Sequence, residues 1–379
     1  MDSRHATVIG AGIGGLTAAS ALARRGWTVR LHERQAEIRA VGAGIYVWDN
    51  GLFALDSIGA FDDATYGAHM GPAVEARTHT GDLLYRIDIN GADRPRCYTL
   101  LRERLVAALV RSARESGVDI VTGSGATAVR PDGTVEFDGR ATEQSDLVVV
   151  ADGVHSRLRD SIDLAYRRIR MTQGAARLMI PASPDYFPAE DAVKHLEFFR
   201  GRRRLLYTPC TPDLIYLALV CDADDPAIRG SRLDVPLWQH SFPVLTQLLA
   251  ATSDIRIRWD TFEYVRMSAW SRGAVAFLGD AAHAQPPYLG QGGGTAMTNA
   301  VALADAVSRP GREPADALTV WERDMRPGTE RTQRTSYRMR LLNSVPDRVR
   351  NPLLTAAGRV SAFTESQLAA TRLRPTINT

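Results

Sequence analysis

The first apolar run, residues 6–9, is short and unbroken and reads as a buried strand. A glycine-rich turn follows at residues 10–15. Residues 16–25 then carry the helical period up to Gly26, a residue suited to the position just past a helix end. Residues 28–32 form a second strand, and Glu33 closes it. Further on, the pattern predicts a helix near residues 52–58 and short strands at 74–78 and 83–87. An amphipathic helix over 102–115 places Leu105, Leu109 and Val110 on one face. Strands are expected at 119–121, 127–130 and 134–137, the last two joined by Pro131-Asp132-Gly133 as a hairpin. A buried strand at 146–151 returns to the parallel type.

From about residue 164 to 271 the character changes. Runs at 176–181, 193–199, 205–209 and 214–221 read as antiparallel strands separated by proline-containing loops, with one helix near 235–249. A buried strand resumes at 274–278, and from Gly290 onward the chain is mainly helical. The division expected is therefore a discontinuous nucleotide-binding domain over 1–163 and 272–345, an inserted sheet domain over 164–271, and a helical segment over 346–379. The fold class is α/β, Rossmann-like, with an inserted antiparallel-sheet domain and a helical C-terminus.

Composition removes several classes of function. The 379 residues are 45% hydrophobic and 23% charged, the range of a globular protein with a large core. Cys97, Cys210 and Cys221 are too few and too scattered for a disulfide framework or a zinc site. Lys194 is the only lysine among 46 basic residues, and the arginines are dispersed among 43 acids apart from the run Arg202-Arg203-Arg204. No clustered basic face points to nucleic acid, and no apolar run approaches the ~20 residues of a membrane span. The first strand begins almost at once, leaving no room for a signal peptide. A soluble cytoplasmic protein, monomeric or homodimeric, is expected.

Three segments carry chemistry. Gly10, Gly12 and Gly15 satisfy G-x-G-x-x-G between a strand and a helix, and the acid Glu33 ends the next strand. The first glycine makes the tight turn, the second lets backbone approach a pyrophosphate, and the third lets helix and strand pack. The acid accepts hydrogen bonds from a ribose. Asp152-Gly153 follows a second buried strand and runs through His155 to Arg159. Gly279-Asp280 follows a third and continues through Pro286-Pro287 to Gly290-Gln291-Gly292-Gly293-Gly294. An acid at a strand end beside a helix N-terminus can hold a sugar hydroxyl while backbone amides face anions.

Together and in this order the three segments resemble those of the single-component FAD-dependent aromatic monooxygenases, the p-hydroxybenzoate hydroxylase-like family, and they span residues 10–294. The resemblance implies that Glu33 binds the adenosine ribose of FAD, with Arg34 beside the adenine. Arg102 would lie along the ribityl-pyrophosphate and Asp280 would hold the ribityl chain. Gly290, Gly292 and Gly293 would approach the flavin pyrimidine edge, and Pro286 and Pro287 would line the reaction face. Asp152 and Arg159 belong to the family's second motif, linked to FAD and to the nicotinamide donor. NADH or NADPH would supply electrons and O2 would be co-substrate. Hydroxylation would run through a flavin C4a-hydroperoxide, with no nucleophile or metal from the protein. There is no second glycine fingerprint for the donor.

Within the family the likeness is greatest to oxygenases of hydroxypyridine carboxylates. It is carried by residues 26–33 and 39–46 and by the strand pair around Tyr207-Thr208-Pro209-Cys210 and Tyr216. That resemblance implies Arg204 and Tyr216 as substrate contacts, while a further substrate-side tyrosine aligns with Val74 and is missing here. The residues support the pair independently. With Thr211-Pro212-Asp213 as the loop, Cys210 faces Leu214, and Arg204, Leu206, Thr208, Tyr216 and Ala218 fall on one face. An arginine beside a tyrosine there suits a carboxylate and a ring hydroxyl. The expected activity is hydroxylation, with or without ring opening, of a small hydroxylated aromatic such as a hydroxypyridine carboxylate. A phenol hydroxylase of the hydroxybenzoate or salicylate type, a flavin hydride-transfer enzyme and a non-enzymatic nucleotide-binding scaffold are the alternatives. A flavin halogenase is discounted, because Lys194 stands alone and no Trp-x-Trp is present. His283 is expected to be structural, His155 and His195 lack ligand spacing, and Trp48, Trp259 and Trp270 are expected in the core.

Overall fold

The computed structural model describes residues 4–39 and 43–375. Gly42 and its two predecessors, part of the stretch 39–46 quoted above, lie outside the described residues. The opening strand His5–Ile9 lies at the centre of a six-stranded sheet. It pairs in parallel with Thr28–Glu33 on one side and Leu147–Val150 on the other. Asp119–Thr122 and Val275–Phe277 extend the sheet, and Ser271–Arg272 closes one edge antiparallel. Strands buried on both faces must be apolar throughout, as Leu147–Val150 is. The helix Ile13–Ala23 packs against Gly292–Val307 and Arg102–Glu115.

The first helix starts at Ile13, three residues before the apolar period begins at Leu16. Gly14 and Gly15 are absorbed into its first turn, a placement that helix propensity disfavours and close packing against the strand rewards.

The second sheet has seven strands, in the order Trp259–Met267, Tyr166–Pro181, Leu214–Asp222, Arg203–Pro209, His195–Arg200, Ala73–Thr78, Leu83–Asp88. Its last two strands come from the part of the chain that the expected division assigned to the nucleotide-binding domain; a parallel pairing of Ala73–Thr78 with His195–Arg200 draws them in. The expected strand at 176–181 is the end of a 16-residue strand, Tyr166–Pro181. Its first half was hidden because Arg167, Arg168 and Arg170 break the apolar pattern, and a bulge lies between Arg170 and Gly174. The expected helix near 235–249 is broken in two, Val235–Ser241 and Thr246–Ala250, where Pro243 cannot continue the hydrogen-bond ladder.

Alternation gives the seven-stranded sheet two unlike faces. On one, Leu178, Leu205, Leu217 and Leu219 bury against Trp238, Phe242 and Leu248 of the broken helix. The other face turns toward the six-stranded sheet and roofs a chamber. Asp347–Gly358 and Ser361–Leu368 lie at the far edge, where Leu354 and Leu368 pack with Tyr85 and Phe199. Among the described residues, no helix is long and apolar enough to cross a membrane.

Candidate active site

Two neighbouring spaces lie between the glycine turn and the second sheet. At the turn, a Cβ on Gly15 would collide with the Gly10 carbonyl, so only glycine lets the helix start there. Gly12 is different: nothing lies within 4 Å of where its Cβ would be. It caps the helix without a side-chain bond, and the first turn holds no acid. Backbone N–H groups and the positive end of the helix dipole therefore face open space, an arrangement that takes an anion.

Beside this turn, Gly10, Glu33, Arg34 and Asp152 line a groove of about 560 Å³. The Glu33 carboxylate is held in place by the Ala11 and Gln35 N–H groups, each at 2.9 Å. One buried oxygen of Asp152 has no hydrogen-bond partner, and burial pushes the Asp152 pKa up, with Ser156 opposing. A buried, unpartnered carboxylate oxygen is costly unless a ligand hydroxyl satisfies it. Arg159, expected at the cofactor, does something else. It is buried, donates to the Ala281 carbonyl at 2.6 Å and the Val154 carbonyl at 2.8 Å, and so ties the second motif to the third.

Gly12, Arg102, Asp280, Pro287, Gly290, Gly292 and Gly293 line the second space, a chamber of about 410 Å³, together with Arg204 and Tyr216 of the sheet above. Asp280 is set deep among protein atoms yet its side chain is open to the chamber. Burial raises its pKa and the nearby Arg102 guanidinium opposes the rise. The helix Gly292–Val307 points its uncapped N-terminus here, again without an acid in its first turn. Of the expected site residues, Gly15, Pro286 and Arg159 line neither space, and Gly15 shapes the turn between them; the others line one or the other. An orphaned carboxylate oxygen, an open glycine cradle and the Asp280 carboxylate near the Arg102 guanidinium at these intervals fit a flavin adenine dinucleotide. Its adenosine end would lie along Glu33 and Asp152, its phosphates at Gly12 and its ribityl chain at Asp280.

The roof follows the expected register: Arg204 pairs with Val220, Leu206 with Ala218 and Thr208 with Tyr216. Arg204, however, does not present a bare charge. It forms an ion pair with Glu197, the two side chains being only 5% and 8% exposed. Its guanidinium also lies over the rings of Tyr288 and Phe199, 5.1 and 5.3 Å from their centroids. Burial raises the Tyr216 pKa, with Arg177 opposing, so the phenol stays protonated. Leu206, Ala218, Val220, Ala175 and Phe262 make much of the remaining wall apolar.

Several contributors escaped the sequence reading. Arg177 faces Ala218 across the sheet and lines the chamber beside Tyr216; it lies within the expected strand 176–181, and only the pairing of that strand with Leu214–Asp222 brings it to Tyr216. Tyr46 shares a 2.5 Å hydrogen bond with Thr208, and its strand, Gly44–Trp48, approaches so closely that a Cβ on Gly44 would lie 2.6 Å from Tyr216. From the helix Pro314–Met339, Ser336 donates to the Pro286 carbonyl at 2.5 Å and Gln333 to the Ala284 carbonyl at 2.9 Å, which fixes the proline loop. Val74 lies opposite His195, on the same face of the sheet as Glu197. His283 is buried against Asn299 and Trp270, in keeping with a structural role. Trp48 and Trp270 are buried, whereas Trp259 lines a cavity edge.

The family profile described as "FAD binding domain" matches residues 4–334. The chain is 63% identical over 378 residues to a probable 2-heptyl-3-hydroxy-4(1H)-quinolone synthase of Rhodococcus erythropolis, covering 100% of this chain and 98% of that one. It is 56% identical to a 2-heptyl-3-hydroxy-4(1H)-quinolone synthase of Mycobacteroides abscessus, covering 98% and 99%. Among solved structures it is similar to the tetrameric form of 2-methyl-3-hydroxypyridine-5-carboxylic acid oxygenase. That match has a TM-score of 0.88 at 36% identity and covers 99% of this chain and 98% of the other.

Proposed function

The chain belongs to the FAD-dependent aromatic monooxygenases, the p-hydroxybenzoate hydroxylase-like family, and on that premise we propose that it places a hydroxyl group on carbon 3 of a 2-alkyl-4(1H)-quinolone. One atom of O2 enters the ring and the other leaves as water, with two electrons drawn from NADH or NADPH. Bound flavin supplies the activation of O2 and the electrophilic oxygen. The protein's part is to hold the ring, keep water out and hydrogen-bond the ring oxygen. In a 4-quinolone the ring nitrogen pushes electron density onto carbon 3, so that carbon is nucleophilic without prior ionisation. The protonated Tyr216 hydroxyl and the Arg177 guanidinium are donors suited to the ring oxygen at position 4.

The observation that carries this reading over a carboxylated substrate is the buried Arg204–Glu197 pair. Sequence reasoning assigned Arg204 to a substrate carboxylate, but its charge is already neutralised by the protein's own carboxylate. A second carboxylate there would face Glu197. The apolar wall of Leu206, Ala218, Val220 and Phe262 suits a neutral ring with an alkyl chain. A hydroxypyridine carboxylate is a second reading favoured by one residue, Arg177, whose only ion-pair partner among the described residues is Asp260 at 3.9 Å.

A panel decides between them. Flavin-loaded protein is titrated with 2-heptyl-4(1H)-quinolone, shorter-chain homologues, hydroxypyridine carboxylates and hydroxybenzoates, following flavin absorbance and stimulated NADH or NADPH oxidation. We expect the alkylquinolones to perturb the flavin and stimulate oxidation. Stimulation by hydroxypyridine carboxylates alone, abolished in Arg177→Met, would transfer the assignment to the second reading.

A further inference from the structure

The ceiling of the chamber changes character along its length. Tyr166–Pro181 and Leu214–Asp222 run antiparallel above it, and the residues on their chamber face pair in a ladder. Arg177 stands opposite Ala218, Ala175 opposite Val220, and Gln173 opposite Asp222. The first of these pairs holds a hydrogen-bond donor beside Tyr216. The second is small and apolar, and both its members line the chamber. The third is polar and buried, Gln173 being 3% and Asp222 8% exposed. Even so, the Gln173 Nε2 and the Asp222 Oδ1 have no hydrogen-bond partner. Tyr288 closes this end. Its hydroxyl donates to Gln173 Oε1, and its ring meets Phe262 edge-on with centroids 5.6 Å apart. Met171 and Met339 pack in the same apolar cluster.

We propose that this stretch of ceiling is a ruler for the substrate's 2-alkyl chain. The chain runs along Ala218, Ala175 and Val220, and Tyr288 with the Gln173–Asp222 pair sets the longest chain accepted. The inference rests on the quinolone reading above and adds a direction and a limit to it. The direction follows from the ring. Carbons 2 and 4 flank carbon 3, the atom to be oxygenated. With the oxygen on carbon 4 held by Tyr216 and Arg177, and carbon 3 turned to Pro287, the chain on carbon 2 leaves on the side away from Tyr216. That side is the apolar pair Ala175 and Val220. The limit follows from the ladder. From Ala218 to Asp222 the strand advances about 13 Å, room for a chain of medium length. Each methylene laid on the apolar wall loses contact with water, which favours binding. A methylene beyond it would press on buried polar atoms that already lack partners and seal them off, which opposes binding.

The test titrates FAD-loaded enzyme with 2-alkyl-4(1H)-quinolones from methyl to undecyl, without reductant, and reads Kd from calorimetry and from flavin absorbance. We expect affinity to rise roughly three- to fourfold with each added methylene, reach a maximum, and then fall. Ala175→Leu fills the ceiling and should move the maximum to shorter chains. Phe262→Ala opens the end wall toward Met171 and should move it to longer ones. The two shifts have opposite signs, which a general loosening of the fold would not produce, and either variant that keeps its flavin carries the test alone. Affinity that ignores chain length, affinity that still rises at undecyl, or a maximum that neither substitution moves would overturn the ruler and leave quinolone binding in place. Failure of every quinolone, methyl included, to bind or to perturb the flavin would instead withdraw the quinolone reading, and the ruler with it.

Discussion

At the scale of single residues the account depends on Arg204. Its partner Glu197 lies diagonally across the sheet on the same face, two residues along from the position opposite Arg204. Removing one member of a buried pair leaves a charge without compensation, and such losses cost about 3–5 kcal/mol. We therefore expect Glu197→Gln to lower unfolding stability by that amount in a urea titration. The double change Glu197→Leu/Arg204→Met, which removes both charges, should restore most of it. The double variant should also keep its affinity for an alkylquinolone within a few-fold. The residue chemistry was only half legible beforehand. The register put Arg204 and Tyr216 on one face, and the structure agrees. What a single strand pair could not reveal was the neighbour on the next strand, since Glu197 meets Arg204 only once the sheet order is known.

The glycine turn and its helix carry the argument at the scale of elements. Here the spacing was sufficient, because the physical demands at each glycine are local. Gly15 is required by the Gly10 carbonyl, while Gly12 looks into empty space. The two positions should respond oppositely. Gly12→Asp is expected to fold, with a far-ultraviolet circular dichroism spectrum like the wild type, but to purify without FAD because its carboxylate fills and repels the phosphate site. Gly15→Ala should lose stability and soluble yield first. Full flavin content in Gly12→Asp, read from absorbance per protein, would remove this turn from the cofactor site. Elements with mixed composition were the ones that sequence patterning missed. Tyr166–Pro181 hides behind its arginines, and Trp259–Met267 alternates imperfectly, with Tyr264 and Val265 both buried. Trp259–Met267 supplies Phe262, so a missed strand became a missed part of the site, whereas Arg177 lies in the expected run 176–181 and was missed because that run's pairing with Leu214–Asp222 was not foreseen.

For the whole molecule, two buried histidines set a pH dependence. Burial lowers the pKa of His195 to about 3 and that of His283 to about 4. In the unfolded chain both titrate near the ordinary value of about 6.5. Between these limits the unfolded state binds protons that the native state refuses. Stability is therefore full above pH 6.5 and falls as pH drops toward 4, by about 1.4 kcal/mol per pH unit for each histidine. Thermal unfolding between pH 4.5 and 7 should show this slope, with His32, His69 and His79, whose pKa values burial also lowers, adding in the same direction; His195→Leu should remove about 1.4 kcal/mol per pH unit of it, and an unchanged slope would place the acid sensitivity elsewhere. The long-range architecture shows why the expected division of the chain needed revision. Ala73–Thr78 and Leu83–Asp88 join a sheet whose other strands all lie beyond residue 165, and only tertiary pairing reveals that. The central claim is that this assembly delivers one oxygen atom from O2 to carbon 3 of a 2-alkyl-4(1H)-quinolone. The most direct measurement is a single turnover of flavin-loaded enzyme, reduced anaerobically and mixed with 18O2 and 2-heptyl-4(1H)-quinolone, with the product analysed by mass spectrometry. The account predicts one heavy oxygen at carbon 3 and none in a parallel reaction run in H218O with ordinary O2. Unmodified quinolone with hydrogen peroxide as the sole oxygen product, or label taken from water, would contradict it.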